Sequence, residues 1–184
     1  MFKMWMIVVF AGISFEEVKT TCTSTCSCGP SGSGGMTSHD KMPAKNIKQC
    51  TYTALNDDTD EGQILTCSYK KKSSNTALRM TYVGDMRVVS SKNACRRWFI
   101  TINEKECTLS SKIESINYPV GLIGLNYHRT GVVDGICEGI SAGSLSIGLS
   151  VGKCSQKGYE NNPGNAFTCF GSICRIIVEE FTIL

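Results

Sequence analysis

The chain reads as an all-β protein, an antiparallel β-sandwich, on three observations. Apolar residues recur at every second position through most of its length beyond residue 50, with no persuasive amphipathic helix. Eighteen glycines stand against four prolines, a balance suited to tight turns between strands. Eleven cysteines in 184 residues would be useless in a reducing cytosol and become covalent staples in an oxidising compartment.

Taken in order, the first segment is a targeting signal. Lys3 supplies the positive flank, Trp5 to Phe10 (WMIVVF) an apolar run, and Ala11, Gly12 and Ser14 the small residues before cleavage, placed after Ser14. Residues 1–14 are therefore read as a signal peptide, since a membrane span needs about 20 apolar residues. Residues 15–45 form a cysteine-rich segment with Cys22, Cys26 and Cys28, followed by a Gly/Ser linker. Within it Gly29, Gly32 and Gly35 make a scrap of Gly-X-Y too short for a triple helix. Residues 46–184 are the folded domain, of ordinary single-domain size at about 140 residues.

The domain's strands announce themselves by alternation. Ile64 to Lys70 alternates polar and apolar residues. Ala77 to Val83 sets Leu78, Met80 and Tyr82 against Arg79 and Thr81. Arg97 to Asn103 sets Trp98, Ile100 and Ile102 on one face, and Asn103 to Glu106 reads as a hairpin turn into Cys107. In Ser144 to Val151, Leu145, Ile147, Leu149 and Val151 face a core. The opposite row, Ser144, Ser146, Gly148 and Ser150, is small enough to let another surface approach closely. Arg175 to Phe181 is nearly continuously apolar, the pattern of a strand buried on both faces. Eight to ten strands at this spacing give the sandwich.

Composition and motifs exclude several functions. A formal net charge of +3 is too mild for a nucleic-acid partner. There is no G-x-S-x-G, H-E-x-x-H or G-x-x-x-x-G-K-[ST], and the two histidines are His39 in the linker and His128, expected to be a structural hydrogen-bonding residue. No enzyme activity, cofactor or metal is expected. Asp57, Asp58, Asp60, Glu61 and Gly62 lack the spacing of an EF-hand loop and read as a solvated acidic turn rather than a calcium site. The stretch from Lys70, Lys71 and Lys72 through Arg79, Arg87 and Lys92 to Arg96 and Arg97 is locally basic. Lys70, Lys71, Lys72, Arg96 and Arg97 are the candidate contacts for a sulfated glycan or an acidic partner.

Five segments carry a family likeness: SSNTALRM at 73–80, ACRRWFITINEKEC at 94–107, NYHRTGVVDGICEGISAG at 126–143, SIGLSVGKCS at 146–155 and CRIIVEEF at 174–181. On these, residues 46–184 resemble the C-terminal domain of the collagen triple helix repeat-containing protein family. The resemblance implies a secreted extracellular glycoprotein with a jelly-roll domain similar to those of complement component 1q and tumour necrosis factor, assembled as a homotrimer. It also implies modulation of Wnt signalling through Wnt ligands and Frizzled/Ror receptors, with a bias toward the planar cell polarity branch. The alternative reading is a matrix or glycan-binding module of complement-1q type, with heparan sulfate as its partner and no receptor role. Cys50, Cys67, Cys95, Cys107, Cys137 and Cys154 fall on what look like family cysteines, whereas Cys169 and Cys174 depart from the pattern. The collagen repeat is reduced to the scrap at 29–35, and no Asn-x-Ser/Thr sequon occurs.

The domain's eight cysteines permit four intrachain disulfides among 105 pairings. Cys22, Cys26 and Cys28 are then available for bonds between chains, in place of the missing collagen stalk. Three chains carry an odd number of cysteines, so one thiol of a trimer would stay unpaired or bond elsewhere.

Overall fold

The computed structural model describes residues 45–119, 121, 123–159 and 161–183. All belong to the second of the two units into which the chain divides, Met42–Leu184. The expectations for the signal peptide, for Cys22, Cys26 and Cys28, for His39 and for nearly all of the linker lie outside the described residues.

Ten strands follow in chain order: β1 (Asn46–Thr53), β2 (Gly62–Lys71), β3 (Ala77–Val89), β4 (Arg96–Ile102), β5 (Lys105–Glu106), β6 (Glu114–Asn117), β7 (Arg129–Cys137), β8 (Gly143–Lys153), β9 (Asn165–Thr168) and β10 (Ile173–Phe181). They form two antiparallel sheets. The first runs β1-β10-β3-β7, with β9 also on β3; the second runs β2-β8-β4-β5, with β6 also on β4. The chain crosses from sheet to sheet at six of its nine connections, and its first strand lies beside its last. That order is a jelly-roll β-sandwich. Among the described residues no helix is long and apolar enough to cross a membrane.

The alternation seen in the sequence becomes the core. Leu78, Met80 and Tyr82 of β3, Trp98 and Ile100 of β4, Ile147 and Leu149 of β8 and Ile176 and Val178 of β10 are sealed between the sheets. Trp98 also carries a polar link across the core, its indole Nε1 donating to Thr168 Oγ1 on β9 at 2.9 Å. A buried indole N–H needs such a partner. The hairpin expected at Asn103–Glu106 is tighter than that span. Ile102 pairs with Lys105, and Asn103 and Glu104 both have positive φ, 49° and 65°, as a two-residue type I′ turn requires.

One strand departs from expectation. β10 is central in its sheet, but it is not buried on both faces: Cys174, Ile176, Val178 and Glu180 point inward, while Arg175, Ile177 and Glu179 on the other side are only half-covered. Among the described residues nothing covers that face, and Ile177 on it stays half-exposed.

The eight domain cysteines form four disulfides. Cys50–Cys67 joins β1 to β2, and Cys107–Cys137 joins the end of β5 to the end of β7, so each ties one sheet to the other. Cys95–Cys154 closes the ends of β4 and β8, and Cys169–Cys174 the β9–β10 connection. The two cysteines that depart from the family pattern thus bond to each other. Their bridge needs Gly84, where an added Cβ would stand 2.3 Å from the Cβ of Cys174.

Candidate functional site

The basic stretch does not form one surface. Lys71 alternates inward from β2 and is buried, its Nζ donating to Thr76 O at 2.8 Å and Thr76 Oγ1 at 2.7 Å and facing Glu180 at 3.8 Å. Burial pushes its ammonium below the usual lysine range, and the Glu180 charge offsets only part of that. Lys71 is therefore removed from the candidate glycan contacts: strand alternation separates it from Lys70 and Lys72, which are exposed.

Arg96 is also buried, and its partners are the acidic turn. Its Nη1 donates to Asp60 O at 2.7 Å, its Nε donates to Gly164 O at 2.8 Å, and its Nη2 lies 3.2 Å from Asp60 Oδ1. Asp60 Oδ1 also accepts the Ala166 N–H at 2.6 Å, and Glu61 lies between Arg96 and Lys153. Arg96 of the basic stretch thus pairs with Asp60 and Glu61 of the acidic turn, and Asp60 anchors the turn while its side chain stays 43% exposed. Arg97 is engaged as well, at 2.6 Å from Glu106 and 3.0 Å from Glu114, with its guanidinium over the Phe99 ring at 3.9 Å. Of the five candidates only Lys70 and Lys72 keep exposed side chains.

The surface that the strands do assemble is the outer face of the first sheet. The registers β1↔β10↔β3↔β7 place Ile47, Ile177, Val83, Val132 and Ile136 on the side away from the core, Val83 directly opposite Val132. Ile47, Val132, Ile136 and Ile173 are between 43% and 51% exposed. Charged groups interrupt this row: Arg175 and Glu179 of β10 lie on it, and Arg79 Nε and Nη2 donate to Asp134 Oδ1 and Oδ2 at 3.0 and 3.1 Å, with the Thr81 hydroxyl donating to the same carboxylate. The Arg79 hydrogen bonds, then Thr81, hold the Asp134 carboxyl below its ordinary value. The Arg79–Asp134 pair satisfies itself within the sheet, beside the half-covered Arg175 and Glu179 of β10.

At one end of this face stands an aromatic cluster that sequence reasoning missed. His128 Nδ1 lies 2.9 Å from Asp85 Oδ2. The His128 ring packs 4.3 Å from Phe170, which packs 5.6 Å from Phe167. Asp85 Oδ2 also accepts the Phe170 N–H at 3.3 Å, and Phe170 is 52% exposed. His128 is thus the hydrogen-bonding residue the sequence suggested, and the aromatic surround was invisible because Phe167 and Phe170 sit about 40 positions downstream. The outer face of the first sheet thus mixes exposed apolar residues with charged ones and ends in an exposed aromatic.

The fold is that of a disulfide-stapled jelly-roll domain. The profile described as CTHRC1, C-terminal domain, matches residues 43–178, and the chain belongs to that family. Solved structures similar to it are remote. The C-terminal domain of EclA, described as a sugar-binding protein, is 9% identical over 78% of this chain and 86% of its own, with a TM-score of 0.34. The VP2 subviral particle of infectious bursal disease virus is 10% identical over 84% of this chain and 42% of its own, with a TM-score of 0.32.

Proposed function

We propose that this chain is a secreted, extracellular modulator of Wnt signalling. In this reading it acts as a homotrimer that binds Wnt ligand and Frizzled/Ror-type receptors, by contact and not by catalysis. Family membership supports the signalling role, and the four disulfides fit the oxidising compartment. One observation supports the assembly: β10 has the composition of a strand covered on both faces, yet the described residues leave one side of its sheet uncovered. Residues that are half-exposed in one chain, Ile177 and Val83 among them, become buried when a second copy packs there. Three chains then offer three copies of every remaining surface to ligand and receptor, and that multiplicity raises avidity without new contacts.

Two measurements test the reading. Val132→Glu and Ile136→Glu place a carboxylate on the row without touching the core, and each is expected to shift the native mass from trimer to monomer with the β-sheet spectrum unchanged. A variant that stays trimeric removes this face from the assembly. Recombinant protein is expected to co-precipitate with a Wnt ligand and a Frizzled ectodomain supplied together. Clean failure with both present sinks the signalling role.

A further inference from the structure

We infer that the outer face of the second sheet is a binding trough for an acidic polysaccharide, a site separate from the apolar face of the first sheet and independent of the signalling reading. Its floor is β8. Alternate residues Ser144, Ser146, Gly148, Ser150 and Gly152 point away from the core and carry nothing larger than a hydroxymethyl group. The lane is about 26 Å long at the rise of a β-strand. β2 walls one side with Lys70, Ser68 and Thr66, and β4 the other with Thr101 and Phe99.

Two hollows lie along it. One, of about 460 Å³, is lined by Lys48, Ser68, Lys70, Asn103, Ser144 and Ser146, and no carboxylate lines it. Here the two sheets each contribute a cation: Lys48 comes from β1 and Lys70 from β2, and both are exposed. The other, of about 300 Å³, has Gly62, Gln63, Phe99, Thr101 and Ser150 in its walls together with one carboxylate, Glu104, so the polymer's acidic groups belong at the lysine end. Between them the Thr101 hydroxyl points over Gly148, where an added Cβ would stand 2.5 Å from Thr101 Oγ1 and 2.6 Å from Gln63 Oε1.

Thr101 is the decisive residue. It is 3% exposed, and its Oγ1 is buried with no hydrogen-bond partner. A buried hydroxyl left without a partner costs about 1 to 3 kcal/mol, and here the cost is borne over Gly148, where the lane has no side chain of its own. A sugar hydroxyl that displaces the exposed Gln63 amide from above Gly148 meets that oxygen. The rest of the lining selects the polymer. Two cations are too few for a nucleic acid, and a floor of serines and glycines offers no pocket for the apolar anchors of a peptide. A row of hydroxyls with a half-buried aromatic at one end and two lysines at the other suits a hydroxylated chain that carries carboxylates or sulfates.

The test is retention of the full chain on immobilised heparin, hyaluronan and neutral dextran. The wild type is expected to bind heparin or hyaluronan and to pass through dextran; equal retention on dextran overturns the acidic specificity, and passage through all three overturns the site. Sulfate and carboxylate sources are told apart by which of the two acidic columns needs more salt for elution. Thr101→Val removes the hydroxyl and keeps the shape. It is expected to weaken binding by roughly five- to tenfold while thermal stability stays level or rises, because the hydroxyl has no partner to lose. Unchanged binding in this variant overturns the proposal, as does a marked fall in stability, which would mean the hydroxyl serves the fold. Ser146→Phe fills the lane without altering charge and is expected to abolish retention. Lys70→Gln is expected to lower the eluting salt, and Lys157→Gln, beyond the opposite end of β8, to leave it unchanged. Equal losses in the two would mean diffuse charge attraction and would overturn the site.

Discussion

Glu180→Ala is expected to destabilise the domain by about 3 to 5 kcal/mol, the cost of breaking a buried ion pair by deleting one partner, and to lower the melting temperature by roughly 10 to 20 °C. Glu180 points inward from β10 and gathers the connection between β2 and β3. Its carboxylate accepts Asn46 Nδ2 at 2.6 Å, the backbone N–H groups of Lys72 and Ser73 at 2.9 Å each, and Thr76 Oγ1 at 2.6 Å. It also faces the buried Lys71 ammonium. The variant strands all of these donors and leaves Lys71 charged in the interior. Replacing the pair together, as Lys71→Met with Glu180→Leu, should recover much of the loss, since an apolar pair of similar volume needs no solvation. A single Glu180→Ala variant within 1 kcal/mol of the wild type in urea unfolding would show that the pair is incidental.

The same carboxylate sets an acid limit. Burial alone would raise its pKa, but the hydrogen bonds from Thr76, Asn46, Lys72 and Ser73 override that and bring it down to about 2. The folded pKa is thus depressed, so the stabilisation is complete above the unfolded carboxyl value near 4.3 and is lost as pH falls from there through about 2. At most this amounts to about 3 kcal/mol. Glu180→Ala should flatten the pH dependence of stability within that window and leave it unaltered above pH 5. The two partners are not equally served: Glu180 is held more strongly charged than free glutamate, whereas Lys71 is held less strongly charged than free lysine. The carboxylate has four hydrogen-bond donors besides the ammonium, and the ammonium is too deeply buried for its partners to make up the loss of water.

That pair marks the boundary of what the sequence discloses. Period two located β3, β4 and β8 because each has one face in the core, and burial makes hydrophobic alternation physically obligatory there. The same alternation, applied to Lys70-Lys71-Lys72, already implies that the middle lysine faces the other way, but a run of three like charges reads as surface until something buried is known to receive it. Glu180 is more than a hundred positions downstream. Arg96 and Asp60 hide from each other in the same manner, 36 residues apart and each ambiguous alone. The lane of small residues on β8 was legible as a pattern, whereas the unpartnered Thr101 hydroxyl above it was not, since satisfaction of a polar group depends on neighbours from three strands. The excess of apolar residues in β10 was visible and was read as burial within one chain. Its place in a face that the described residues leave uncovered turns that excess into an argument about assembly.

Removing Cys95–Cys154 is expected to cost about 4 kcal/mol and removing Cys169–Cys174 about 2 kcal/mol, with Cys107–Cys137 and then Cys50–Cys67 between them. The ranking follows the sequence separations, which are 59, 30, 17 and 5 residues for Cys95–Cys154, Cys107–Cys137, Cys50–Cys67 and Cys169–Cys174. A cross-link restricts the unfolded chain more when it closes a longer loop. Packing does not reorder them, because seven of the eight cysteines are buried to a similar degree and lose similar contacts on conversion to alanine. Urea unfolding of the four paired Cys→Ala variants checks this. If the Cys169–Cys174 variant is the least stable, the bridge is acting on the folded state, through its close packing over Gly84, and the loop-closure account fails. The pairing also bears on assembly. With all eight domain cysteines bonded within the chain, covalent links between chains fall to Cys22, Cys26 and Cys28 alone. A ladder of reduction-sensitive oligomers in non-reducing electrophoresis should therefore survive every one of the four domain double variants and disappear when those three are replaced. Loss of the ladder in any domain variant would show that a bridge assigned to one chain is shared between two.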